Sequence, residues 1–188
     1  MRIAVGIVEV ESIAAGVRAA DAMLKTAQVD LLNAAAASPG KYIITVGGDV
    51  ASVAAAVEAG VAEAGELLLG QVMIAHLHAQ VLAALRGERA VPVSPQAVGV
   101  VETATVAGVI RAADAAAKTA VVDLMELRLA RGLGGKGYVT FTGDVGSVQV
   151  GVAAAADAAE RDGVGALVGT AVIPAPHPDL WPKLRRDV

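Results

Sequence analysis

The chain is written twice. Residues 4–31 read AVGIVEVESIAAGVRAADAMLKTAQVDL, and residues 97–124 read AVGVVETATVAGVIRAADAAAKTAVVDL. Seventeen of these 28 positions are identical without a gap. Alanine inflates the count, but Glu9/Glu102, Arg18/Arg111, Asp21/Asp114, Lys25/Lys118 and Asp30/Asp123 match as well. Further on, Gly48-Asp49-Val50 recurs as Gly143-Asp144-Val145, and His78 recurs as His177. The spacing grows slightly along the chain, as small loop insertions allow. Two repeats are too few for a solenoid, so the pattern describes a duplicated domain. The expected units are residues 1–90 and 91–188, joined by Arg86–Pro95 with its Gly87, Pro92 and Pro95.

Composition limits what such a pair can do. The chain is 55% hydrophobic and 18% charged, which excludes disorder. Aromatic residues are 2%, so the cores are built from Ala, Val, Leu and Ile. The net charge is −4 with no basic block, so no nucleic-acid partner is expected. Apolar, small-residue units should bury surface beyond their own cores, so an oligomer is expected. Cysteine is absent, which removes disulfides, thiolate metal ligands and a thiol nucleophile together. The longest uncharged stretch, Leu67–Leu85, approaches the length of a membrane span, but Gln71, His76, His78 and Gln80 interrupt it. The apolar run at the N-terminus is too short for a signal peptide. The expectation is a soluble cytoplasmic protein with no membrane partner.

Each copy has a readable order of elements. Val5–Val10 is an apolar run, read as a buried strand. Ser12 and Thr105 stand where they can cap a following helix. Ile13, Val17, Ala20 and Leu24 follow at helical spacing, matched by Val106, Ile110, Ala113 and Ala117. Arg18, Asp21 and Lys25 mark the opposite, polar face, with Asp21 and Lys25 four apart. A second strand begins near Val29. Ser38-Pro39-Gly40 turns the chain into a third, Tyr42–Val46. Asp49 and Asp144 cap a second helix, and Leu67–Ile74 is a last strand. The expected fold class is α/β of the α+β kind. Each copy is β-α-β-β-α-β with a short helical tail, an antiparallel sheet and both helices on one face.

Candidate chemistry is sparse. Gly132-Leu133-Gly134-Gly135-Lys136-Gly137 fits G-x-G-x-x-G, but a strand follows it where a nucleotide site needs a helix. His76 and His78 lack the partners of a recognisable metal motif. His78 and His177 end equivalent copies and suggest a structural duty. Glu9 and Glu102 follow apolar strands and read as strand-end hydrogen-bond acceptors. No acid, base and nucleophile set is apparent, so no enzyme is expected.

The motifs taken together resemble a known family. Val5-Gly6-Ile7-Val8-Glu9, Ala19-Ala20-Asp21-Ala22-Met23-Leu24-Lys25 and Gly47-Gly48-Asp49-Val50 resemble the bacterial microcompartment shell domain. Val98-Gly99-Val100-Val101-Glu102, Ala112-Ala113-Asp114, Lys118 and Gly143-Asp144-Val145 repeat the set. Ile173-Pro174-Ala175-Pro176-His177 is similar to the family's I-P-R-P-H ending, with Ala175 in place of the arginine. A fused double copy resembles the tandem-domain class. Ser38-Pro39-Gly40-Lys41 and the Gly132–Lys136 segment look most like its propanediol-utilisation type.

The resemblance implies a homotrimer whose six domains form a pseudohexameric tile. Such tiles join other shell proteins edge to edge into the wall of an organelle that encloses enzymes. It implies a central pore lined by Ser38, Pro39 and Gly40, with Gly132, Leu133, Gly134 and Gly135 around it. It also implies edge lysines at Lys25 and Lys118. The propanediol-utilisation type carries a cysteine at the position of Ser38, and three of them hold an iron–sulfur cluster. A serine hydroxyl is a poor ligand beside a thiolate, so no cofactor or metal is expected here. Two other readings remain at this stage: a metal- or redox-binding tile, and a trimeric ferredoxin-like regulator that binds a ligand on a long basic loop.

Overall fold

The computed structural model describes residues 4–88, 96–130, 132–161 and 167–184. The first copy runs β1 (Ala4–Val10), α1 (Ile13–Thr26), β2 (Asp30–Ala37), β3 (Lys41–Gly48), α2 (Val50–Ala64), β4 (Leu68–Ile74) and a short α3 (Ala79–Leu85). The second repeats the order as β5 (Ala97–Thr103), α4 (Val106–Thr119), β6 (Asp123–Leu129), β7 (Gly137–Gly143), α5 (Val145–Glu160), β8 (Leu167–Ile173) and α6 (Trp181–Leu184). Each copy forms a four-stranded sheet, ordered β2-β3-β1-β4 and β6-β7-β5-β8. All neighbouring strands are antiparallel. Part of the expected linker, residues 89–95, lies outside the described residues. Among the described residues, no helix is long and apolar enough to cross a membrane.

The caps read from sequence are made. Ser12 accepts from the Ala15 amide at 3.4 Å, and Thr105 from the Gly108 amide at 3.0 Å. Asp49 accepts from the Ser52 hydroxyl at 2.6 Å and from its amide at 2.9 Å, and Asp144 does the same with Ser147. These hydrogen bonds, the serine hydroxyl first, hold both carboxyl groups below the ordinary aspartate range.

Packing departs from the sequence reading in one instructive way. Helix α1 turns Ala15, Gly16, Ala19, Ala20 and Met23 towards its own sheet. Of the stripe Ile13, Val17, Ala20 and Leu24, read from sequence as the face opposite the polar one, Ala20 is buried, while Ile13, Val17 and Leu24 are exposed. Small residues let the helix lie close to the strands. Gly16 faces Tyr42 so closely that a Cβ there would lie 2.3 Å from the tyrosine Cβ and 2.6 Å from its ring. In the second copy the sizes are exchanged: Val109 on α4 packs over Gly137. The larger aliphatic residues of α1 are left for something outside the unit.

That something is visible in the second copy. Val106, Ile110, Ala113 and Ala117, the equivalents of the exposed stripe together with Ala20, are all buried. They join one continuous apolar cluster with Val5, Ile7, Val72, Ile74 and Val81 of the first copy. Strand β1 is therefore buried along its whole length. Gly6 faces Val53 and Val57 of α2, while Val5 and Ile7 face the second copy. The two copies share a core along the outer face of α4.

Candidate functional site

The expected pore residues sit on two turns that touch. Ser38, Pro39 and Gly40 connect β2 to β3 and are exposed. The turn closes with the Gly40 amide donating to the Ala37 carbonyl at 2.9 Å. Gly40 has φ +99°, a conformation glycine adopts without steric penalty. In the second copy, Gly132, Gly134 and Gly135 all have positive φ and bend the chain from β6 into β7. The Leu133 amide donates to Ala130, and the Lys136 amide to Leu133. The glycines thus serve a β-β turn, and no helix follows to hold a phosphate. Gly135 lies against Pro39 and Lys41, and a Cβ there would meet the Lys41 side chain at 2.6 Å. Lys41 Nζ donates to the Gly135 carbonyl at 3.1 Å.

Lys41 leads from the turns to a buried polar centre. Its ammonium lies 2.9 Å from Glu9, whose side chain is fully buried. The other Glu9 oxygen accepts from the Val106 amide at 3.0 Å and the Ala107 amide at 3.4 Å. These are the first two residues of α4, where the helix presents unsatisfied N–H groups and the positive end of its dipole. One carboxylate of the first copy therefore caps a helix of the second. The strand-end acceptor role read from sequence holds for Glu9, but sequence did not supply its partners. Glu102 occupies the equivalent place in the second copy, 3.2 Å from Lys136.

The expected edge lysines are not equivalent in their surroundings. Lys25 pairs with Asp21 at 2.6 Å on an open surface. Lys118 pairs with Asp114 at 2.5 Å, but Asp114 is buried and also accepts from the His78 amide at 2.7 Å. Residue Gln80, not singled out from sequence, completes this seam. Its amide group donates to the Val122 carbonyl at 3.0 Å and accepts from the Leu124 amide at 2.7 Å. Both histidines at copy ends have the structural duty expected of them. His78 Nδ1 accepts from the Gln80 amide, and His177 Nδ1 from the Asp179 amide.

Comparison with known proteins accounts for this arrangement. The BMC domain profile matches residues 4–77 and again 97–176. The chain belongs to the family of bacterial microcompartment shell proteins. It is 42% identical over 181 residues to the shell protein PduT of Citrobacter freundii, covering 96% of this chain and 97% of that one. The carboxysome shell protein CcmK2 of Thermosynechococcus vestitus is 41% identical over 80 residues, covering 43% of this chain and 78% of its own length. A solved microcompartment protein from Desulfitobacterium hafniense superposes with a TM-score of 0.81 at 48% identity, covering 96% of this chain and 98% of that one. The role of this tandem shell protein is structural, as a tile of a microcompartment shell. The regulator reading falls with this finding. The β-β connections are also short, residues 38–40 and 130–136.

Proposed function

We propose that three chains close into a ring around a pore formed by the two turns, and that Lys25 and Lys118 lie on the rim where tiles meet. Each chain supplies two units, residues 1–90 and 91–188, so the six units implied by the shell-domain resemblance need three chains. The observation that carries this reading is the asymmetry of the outer helix stripe. In α4 it is buried by the preceding copy, while in α1 it is exposed. A surface of this kind is heterologous: each chain offers one plug and one socket, and such contacts form a ring when the rotation between copies closes. Other shell proteins adjoin the ring at its edges, and enclosed enzymes lie behind it.

Ser38, Pro39 and Gly40 line the axis in this reading, with Gly132, Leu133, Gly134 and Gly135 beside them. A ring of Ser38 hydroxyls donates and accepts hydrogen bonds without carrying charge. It suits small polar solutes that are uncharged or weakly anionic. The same turn does not fit an iron–sulfur cluster, because it offers a hydroxyl and the chain holds no thiol.

Two tests address the parts separately. Native mass measurement should give particles of three chains. The Lys25→Ala, Lys118→Ala double variant should keep that mass and lose the sheets seen by electron microscopy. The exposed Lys25–Asp21 pair contributes only about 0–1 kcal/mol to folding, and the buried Asp114 keeps the His78 amide when Lys118 is removed, so the tile itself should survive. A monomer or dimer refutes the ring, and sheets formed as readily as by the parent chain refute the rim assignment. For the axis, the Ser38→Cys variant, reconstituted anaerobically with iron and sulfide, should gain cluster absorbance that the parent chain lacks. An intact trimer of the variant without a cluster would move Ser38 away from the axis.

A further inference from the structure

The junction inside the chain is a template for a junction between chains. At the internal junction, Glu9 is 0% exposed and caps α4 through the Val106 and Ala107 amides, with Lys41 on its other oxygen. The second copy carries the same pair, Glu102 with Lys136, but Glu102 is 39% exposed and no amide of the described residues caps onto it. The matching helix start is also free. At α1, Ser12 takes the Ala15 amide, while the Ile13 and Ala14 amides meet no acceptor among the described residues. Ile13 and Ala14 are the repeat equivalents of Val106 and Ala107.

The apolar surfaces around these groups match in the same way. Ile13 is 48% exposed where Val106 is 0%, Val17 is 51% where Ile110 is 0%, and Leu31 is 45% where Leu124 is 4%. On the receiving side, Val72 of β4 is buried under α4, while its equivalent Ala171 of β8 is exposed. The plug and the socket left open on this chain are the two halves of the contact already made inside it.

We infer that Glu102 of one subunit caps α1 of a second copy of this chain, accepting from the Ile13 and Ala14 amides while Lys136 neutralises its other oxygen. This rests on the ring proposed above and adds to it the polar centre of the subunit junction. Association then buries a carboxylate that is already paired with its lysine, and supplies the two amides that make burial tolerable. The apolar stripe provides area, and the carboxylate provides register, because a shift of one turn or more along the helix would strand the charge against a backbone whose N–H groups are already bonded.

The test is a double-variant cycle read by subunit exchange. Isotope-labelled and unlabelled trimers are mixed, and exchange is followed by native mass spectrometry. Glu102→Ala should speed exchange by about 30-fold or more, as loss of one partner from a buried charge cluster typically acts on dissociation. Ile13→Pro removes the first helical N–H of α1 at a position where proline is tolerated, and Ser12 already has the extended backbone proline requires (φ −108°, ψ 130°). It should also speed exchange. If the two groups meet, the double variant exchanges scarcely faster than the quicker single variant. If the two accelerations multiply, or Glu102→Ala exchanges at the parent rate, the inference is overturned while the ring stands. If the parent chain is not a trimer, the ring reading fails first and the inference with it.

Discussion

Glu9→Ala is expected to destabilise the chain by about 3–5 kcal/mol, the usual cost of removing one partner from a buried ion pair. The substitution strands Lys41, whose side chain is only 13% exposed, and returns the Val106 and Ala107 amides to an apolar seam without an acceptor. Chemical denaturation should show a lower midpoint. Glu9→Gln keeps an acceptor for the amides and should cost less. Adding Lys41→Met to Glu9→Ala removes the stranded charge and should recover part of the loss, because residues of one cluster are not additive. A Glu9→Ala chain as stable as the parent would show that the centre contributes nothing to the junction.

Phe141→Ala should be of similar size, about 3–5 kcal/mol. The ring is fully buried on β7, and the second copy has made room for it. A Cβ at Gly99 would lie 2.5 Å from the ring, and one at Gly151 would lie 3.0 Å from it. In the first copy, Val46, Gly6 and Ala56 stand at the equivalent positions. Truncating the ring leaves a space whose walls include two glycines, which have no side chain to fill it. Collapse is therefore limited, and the cavity cost stays high. A melting temperature lower by roughly 6–20 °C is expected for a chain of this size. Phe141→Val, which copies the first unit, should cost less, and restoring Gly151→Ala beside it should return part of the difference.

The repeat carries much of the fold on its own. Its spacing located β1, α1, β3, α2 and β4 and their counterparts within a few residues. The caps Ser12, Thr105, Asp49 and Asp144 were legible because an N-cap is local: a side chain bonds an amide two or three residues away. The turns at Ser38–Gly40 and Gly132–Gly135 were legible for the same reason, since positive φ is a property of single residues. The same motifs carried the family, because their ordered recurrence is specific even in an alanine-rich chain.

Tertiary structure decided which face of each helix is inside. From periodicity, Ile13, Val17, Ala20 and Leu24 form one stripe opposite the polar face, and nothing in the sequence distinguishes burial by a chain's own sheet from burial by a neighbour. The Ala and Gly face won because close helix–sheet approach needs small side chains, and the outer stripe remained for the next unit. The partners of Glu9 were beyond sequence reach for a related reason. Its amide donors lie 97 and 98 residues away, and its ammonium partner lies 32 away. Hydrogen-bond chemistry of a carboxylate is written in one residue, but the low-dielectric seam that makes that bond matter exists only once two copies have closed over it.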